Sequence, residues 1–398
     1  MFLWLEQAIL FLFVLFLPSQ LAYHFWPDYS YVFGLRVDYL APTLTLTDIF
    51  FVLLLPFLLK RLKKQKTLKL LLVPFLVVVF AVLNTPLAVA PVITLLKWVT
   101  LVKLSIVGLY FYNCNLKNFK KIISSALTLS VLVASFIGIY QVWLQRTVGP
   151  PFYYLGERSF TAETPGIALA SFFGKSLMRA YSIFSHPNSF AGFLVVSFLM
   201  ILSLRGKMLK KDKFLIFLLL ASGASLLLTF SLGAFVGIIA FLVLAKLSKK
   251  YLVLLPLIFI GFSLLTGLAA NFFSDQRILL AKASLEVFSQ RPVLGVGLNN
   301  FLTQLPMAAA FNKILIIQPV HNIYLLVLAE TGILGLLSVF ILLILFLKNI
   351  KNTFLLSAFL FILVTGLFDH YWLTLPQNML LLSILIGFSL RRDISATL

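Results

Sequence analysis

Charge is scarce in this chain. Charged residues make up 11% of its 398 residues, against about 25% in a soluble domain. Acid is scarcer still, with 12 Asp and Glu against 32 Lys and Arg. The deficit excludes a separate soluble domain, because hydrophobic residues rise to 61% and apolar runs long enough to cross a bilayer recur along the whole length. One cysteine, Cys114, excludes an internal disulfide, so stability must rest on helix packing. Only four histidines occur: His24, His186, His321 and His370. Neither an internal repeat nor a low-complexity segment is visible. The first 22 residues lack a basic n-region and carry Glu6 instead, which favours an uncleaved first helix over a signal peptide.

The formal net charge of +20 would suggest nucleic acid in a soluble protein. Here the basic residues sit in short clusters between apolar runs: Lys60–Lys69, Lys117–Lys121, Arg205–Lys213, Lys246–Lys250, Lys348–Lys351 and Arg391-Arg392. Together they hold 21 of the 32. Positive charge in short loops marks the cytoplasmic face, so the charge reads as topology and not as a nucleic-acid surface. An even number of crossings between clusters then predicts about twelve transmembrane helices, near 3–21, 44–59, 70–84, 91–112, 122–144, 189–204, 214–230, 232–246, 251–270, 322–347, 353–368 and 378–390. The expected fold is an all-α polytopic membrane protein, one integral membrane domain over 1–398 with both termini cytoplasmic. The run 214–246 could form one very long helix, but its basic flanks favour two short ones turning near Ser231-Leu232-Gly233. All four histidines fall outside, as do two long loops, 145–188 and 271–321. Connections this long are usually functional or disordered. Amphipathic pieces such as Arg277–Phe288 predict short helices lying on the membrane surface within them.

Several residues in this external layer could carry chemistry. His321 enters a long apolar helix, where a neutral imidazole can take a proton from a hydroxyl. A core or interface histidine is the ordinary alternative. Glu330 lies nine residues on, half a turn out of phase and about 13 Å deeper, so it is poorly placed to orient His321. It is expected to pin a neighbouring helix, with Gly332 and Gly335 allowing close approach. Helix starts at Ser185-His186-Pro187-Asn188 and His321-Asn322 offer unpaired N–H groups that favour an anion such as phosphate, although most membrane helix starts bind nothing. Arg179 and Arg277 offer paired donors that match phosphate oxygens, with surface or lipid contacts as the plain alternative. Arg291 precedes a Gly-x-Gly at Gly295–Gly297, a weak phosphate-loop pattern that a tight turn explains equally well. Asp369-His370 and Gln377 could face the same cavity. Snorkelling explains Lys97 and Lys103 within the fourth helix, with a donor-lipid contact as the lesser reading.

The block His321-Asn322 through Glu330-Thr331-Gly332-Ile333-Leu334-Gly335 resembles the hallmark of the O-antigen ligase and polymerase superfamily. Arg291–Phe301 is similar to the segment that precedes it there. Arg179 followed by Phe184–Asn188 resembles the upstream motif, and Phe368-Asp369 through Gln377 the closing turn, so the likeness spans about 175–390. The resemblance implies a membrane-embedded glycosyltransferase of GT-C type. It would take a glycan from an undecaprenyl pyrophosphate carrier and join it to an acceptor hydroxyl on the external face of the bacterial cytoplasmic membrane. It also implies no metal or other cofactor, a pyrophosphate grip by Arg179 and Arg277, and His321 as base. Arg291, His186, Asn188, Asn322 and Asp369 are the expected substrate contacts, and Glu330 a structural polar group. Many relatives carry an arginine where this chain has Leu232, which weakens the assignment of Arg277. The expected partners are the lipid-linked glycan donor, a glycan, lipid or protein hydroxyl acceptor, and membrane lipid. An O-antigen ligase or a polysaccharide polymerase fits best, with a protein O-glycosyltransferase behind them. A lipid-carrier transporter or flippase is the rival of another class, although no pair of related halves supports it.

Overall fold

The computed structural model describes residues 2–64, 72–205, 213–246, 252, 254–268, 276–308, 317–391 and 393. Parts of the basic clusters Lys60–Lys69, Arg205–Lys213, Lys246–Lys250 and Arg391-Arg392 lie outside these residues, as do Lys313 and the first residues of the 271–321 loop. The chain is mostly helical. Its main helices are α1 Phe2–Leu15, α2 Leu46–Lys64, α3 Leu72–Asn84, α4 Pro91–Asn113, α5 Leu116–Leu144, α6 Pro187–Arg205, α7 Lys213–Leu228 and α8 Leu232–Leu244. They continue as α9 Leu255–Leu268, α10 Gln276–Gln290, α11 Ile323–Asn349, α12 Thr353–Thr365 and α13 Pro376–Ser389. Among the described residues, α4, α5, α6 and α11 are long and apolar enough to cross a membrane, and shorter apolar helices accompany them. This is an integral membrane protein.

Local sequence fixes where several helices begin. Asn115 accepts a hydrogen bond from Lys117 N–H, so α5 starts at Leu116 and not near residue 122. Ser231 accepts from Ala234 N–H and opens α8, which divides the 214–246 run at a turn where Phe230 has φ +46°. In α2, the Asp48 carboxylate accepts from Thr45 N–H and from the half-buried Lys103 ammonium. Near the start of α1, Glu6 pairs with Arg61 and accepts from the Tyr110 hydroxyl at 2.7 Å. One large apolar core joins α1, α5, α6, α12 and α13. A second, smaller core gathers Val37, Leu280, Val287, Val296, Phe301 and Leu325 under the other end of the site.

Two expectations need correction. The fold is not purely helical: the segment between α1 and α2 pairs β1 Ala22–His24 with β4 Thr43–Thr45, and β2 Tyr31–Val32 with β3 Leu35–Arg36. Likewise the 145–188 loop carries only one short 3-10 turn, Phe152–Leu155, and is built round an antiparallel hairpin, β5 Leu169–Phe172 with β6 Lys175–Met178. Phe173 and Gly174 at its tip have φ of +47° and +76°, the signature of a two-residue turn matched to strand twist. The loop is anchored by buried Glu157, whose carboxylate accepts from Gln141 and from Val148 and Gly149 N–H. In the second long loop the expected helix is present as α10, packed against α9 and α11.

The other correction concerns the glycines of α11. Gly332 breaks the helix, with φ +63° and ψ −169°. The break frees the carbonyls of Ala329 and Glu330, which accept from Val296 and Gly297 N–H at 3.1 and 2.9 Å. It also frees the N–H groups of Ile333 and Leu334, which donate to Pro292 and Val293. The Gly-x-Gly segment is therefore a turn spliced into a helix break, and its N–H groups face protein carbonyls. A Cβ on Gly332 would lie 2.4 Å from the Val293 carbonyl oxygen. Backbone strain at such φ/ψ costs about 1–3 kcal/mol for any other residue, before the clash is counted. Gly332→Ala should therefore lower the thermal unfolding midpoint in detergent clearly; an unmoved midpoint would contradict the spliced turn.

Candidate functional site

The hairpin β5–β6 delivers Arg179. Met178 N–H bonds to the Gln145 side chain and Arg179 N–H to the Ala168 carbonyl, so the hairpin base is fixed on both sides. The half-buried Arg179 guanidinium donates to the Thr229 carbonyl at 2.6 Å, just past the end of α7, and to Asn188 Oδ1 at 2.7 Å. Asn188 in turn donates to Asp369 Oδ2 at 2.8 Å. Asp369 Oδ1 accepts from His370 N–H at 2.8 Å and lies 3.5 Å from His321 Nδ1. A continuous chain of contacts thus runs from guanidinium to imidazole across three segments far apart in sequence.

Arg179, Asn188, Asp369 and Arg277 line one cavity of about 100 Å³ with Tyr371 and the turn Phe230–Ala234. Leu232, the position of the departure noted above, does face this cavity. There the cavity meets the N-terminal turn of α8, whose first N–H groups have no helical partner. Two guanidinium groups and a helix start give the chamber a positive field suited to an anion. His321 is not among the residues that line that cavity; it approaches Asp369 Oδ1, with its ring 5.1 Å from that of His370.

Electrostatics sharpen the picture. Burial pushes the Asp369 carboxyl up, but the hydrogen-bonding contact and charge of His321, helped by His370 and His186, hold it well below the usual carboxylate range. Burial pulls His370 down to about 3 and His186 down to about 4, and Arg179 and Arg277 add to the effect at His186. Both rings are therefore neutral near neutral pH. Burial likewise lowers Arg179 from its ordinary value, and nearby Arg277 lowers it further. His321, Asp369 and His370 offer three donor atoms within 4.8 Å, a number that could hold a metal ion. Asp369 already accepts two hydrogen bonds, from Asn188 and from His370 N–H, and His321 Nδ1 stands 3.5 Å from its Oδ1, so the three side chains form a relay of close polar contacts.

The remaining expected site residues are placed as follows. His186 Nδ1 accepts from Asn188 N–H at 3.2 Å, at the start of α6. Asn322 caps α11, its Oδ1 accepting from Tyr324 and Leu325 N–H while its Nδ2 donates to Ser263 and the Leu367 carbonyl. Its polar atoms are thus engaged by protein and not turned to the cavity. Arg291 donates to the Leu87 carbonyl and is not brought to the cavity. Glu330 Oε1 lies 3.3 Å from the Phe301 N–H it accepts from, in the turn before α11. Gln377 is buried at the start of α13. Lys97 ends on the Leu373 carbonyl at 2.8 Å and so holds the turn that follows His370, which replaces the snorkelling expectation.

Two contacts escaped sequence reasoning. Asp369 pairs with His321 across 48 positions, and only the fold shows it. Tyr39 sets its ring edge-on to His370 with centroids 5.5 Å apart; burial, then the Asp369 charge, pushes its phenol up to about 12.

Fold and site together define a helical integral membrane protein with an anion-favouring chamber beside a histidine–carboxylate pair. The family model described as O-antigen ligase matches residues 185–340, which supports the likeness to the O-antigen ligase superfamily over that stretch. No curated protein matches the chain.

The capping geometry makes a specific demand. Asn322→Ala should cost about 0.5–2 kcal/mol for the cap alone, read as a lower thermal midpoint. A variant with an unmoved midpoint but altered ligand binding would assign Asn322 to the substrate instead.

Proposed function

We propose that this protein is a glycosyltransferase that moves a glycan from a polyprenyl (undecaprenyl) pyrophosphate carrier to an acceptor hydroxyl at the external face of a bacterial cytoplasmic membrane. The acceptor is a lipid-core sugar, as for an O-antigen ligase, or a second carrier-linked glycan, as for a polymerase. The observation that carries the reading is the contact chain Arg179–Asn188–Asp369–His321, which couples an anion chamber to a base. The family match supports glycosyl transfer. The external placement of the chamber rests on reading the basic clusters as cytoplasmic, with about twelve crossings and both termini inside.

In this mechanism Arg179 and Arg277 hold the pyrophosphate, aided by the first turn of α8. The carboxylate opposite His321 Nδ1 favours the tautomer with its proton there, leaving Nε2 to accept. His321 takes the acceptor hydroxyl proton as that oxygen bonds to the anomeric carbon. The bond from that carbon to the phosphate oxygen breaks on the opposite side, and its electron pair leaves with the pyrophosphate. The configuration inverts, the leaving group supplies the driving force, and the scheme needs no metal. Charge growing on the leaving phosphate meets fixed guanidinium groups, where preorganised donors help most. Asp369 stabilises the imidazolium that forms.

General-base help is worth typically about 10²–10⁴-fold. His321→Ala should lower transfer in reconstituted vesicles by that range with carrier binding nearly intact; normal turnover would remove the base assignment. Arg277→Lys keeps the charge but loses paired donors, so carrier affinity should weaken. Unchanged affinity would count against a guanidinium grip. The same vesicles separate enzyme from flippase, since only an enzyme forms a new glycoside from external donor without a gradient.

A further inference from the structure

The segment between α1 and α2 lies outside residues 185–340 and carries none of the motifs that pointed to the site. Nonetheless it reaches the relay. Val37 and Leu40 are buried in the second core with Val296, Phe301 and Leu325, and the Asn299 side chain donates to the Tyr39 carbonyl at 2.8 Å. Val37 N–H to the Ser30 carbonyl and Leu40 N–H to the Val37 carbonyl close the turn on either side. The backbone of Tyr39 is thus pinned while its half-buried ring stands edge-on to His370. Its phenol lies in electrostatic reach of Asp369 and of the Arg158–Asp38 pair. Among the described residues, the Tyr39 hydroxyl makes no hydrogen bond.

This side of the relay differs chemically from the anion chamber. The chamber presents guanidinium groups and a helix start. The Tyr39 side presents a neutral hydroxyl, with a cation and a carboxylate that balance one another. A neutral, hydroxyl-rich ring matches such alternating donors and acceptors, whereas a pyrophosphate matches the chamber. The chamber and the Tyr39 side therefore suit the two different substrates of the transfer.

We propose that Tyr39, with the Arg158–Asp38 pair beside it, forms an acceptor subsite that binds a sugar of the acceptor and sets its hydroxyl against His321. The inference rests on the reading of His321 as base and adds a substrate contact from outside the matched region. Tyr39 donates a hydrogen bond from its hydroxyl to a sugar oxygen. No covalent step is assigned to it.

The test measures binding and transfer separately on the full chain in detergent. The probes are core oligosaccharide released from rough lipopolysaccharide, for the acceptor side, and undecaprenyl pyrophosphate, for the carrier side. Tyr39→Phe should bind the oligosaccharide about tenfold more weakly than wild type while carrier affinity stays within about twofold. Arg158→Gln should shift oligosaccharide affinity in the same direction. In transfer assays the loss should appear in the acceptor KM, with kcat little changed. Equal oligosaccharide affinity in Tyr39→Phe, no affinity in the wild type, or parallel loss of carrier binding overturns the subsite. A split in affinities without any transfer by the wild type would sink the glycosyltransferase reading and leave the subsite standing.

Discussion

The arrangement depends on one carboxylate. Asp369 is taken out of water, where a lone ionised group is costly, and remains ionised because neighbours on three segments compensate it. Asn188 from the start of α6 donates to one oxygen, while His370 N–H and His321 serve the other. Removing its charge would leave Asn188 and the Arg179 it holds without their common reference, and His321 without its orienting partner. The elements delivering these groups are pinned in turn, Arg179 by a hairpin and Thr229, and the His370 turn by Lys97.

A second constraint shapes the floor beneath the relay. The break at Gly332 admits a loop from outside the helix, and the exposed backbone groups on both sides pair with each other. Irregular backbone at membrane depth is tolerated where protein satisfies it. Glu330, two residues before the break, accepts from Phe301 N–H and so ties that loop to α11. His321 sits at the end of that loop.

Much of the helical layout was legible because long apolar runs and their polar interruptions leave few alternatives. Ser231 and Asn115 show where that reading sharpens or slips. Ser231 sits where a turn was expected, but the Asn115 cap carries α5 back over the lysines that had been taken as loop. The hairpins were not legible, since strands of two to four residues in mixed loops leave no periodicity to detect. At the site, Arg179, Asn188 and His321 could be singled out from residue type and position at helix starts. The pairing of Asp369 with His321 and the approach of Tyr39 could not, because neither contact has a local signal. Arg291 and Asn322 mislead for the opposite reason: donors that look available in sequence are used by nearby carbonyls and helix ends.

Asp369→Asn offers the most direct measurement, because the amide keeps the shape and removes the charge. Transfer by the purified, reconstituted chain should fall by about 10²–10⁴-fold, while affinity for undecaprenyl pyrophosphate holds or tightens as a negative group leaves the chamber. Undiminished transfer, or a loss of carrier binding as large as the loss of transfer, would contradict a carboxylate that links an anion chamber to a histidine base.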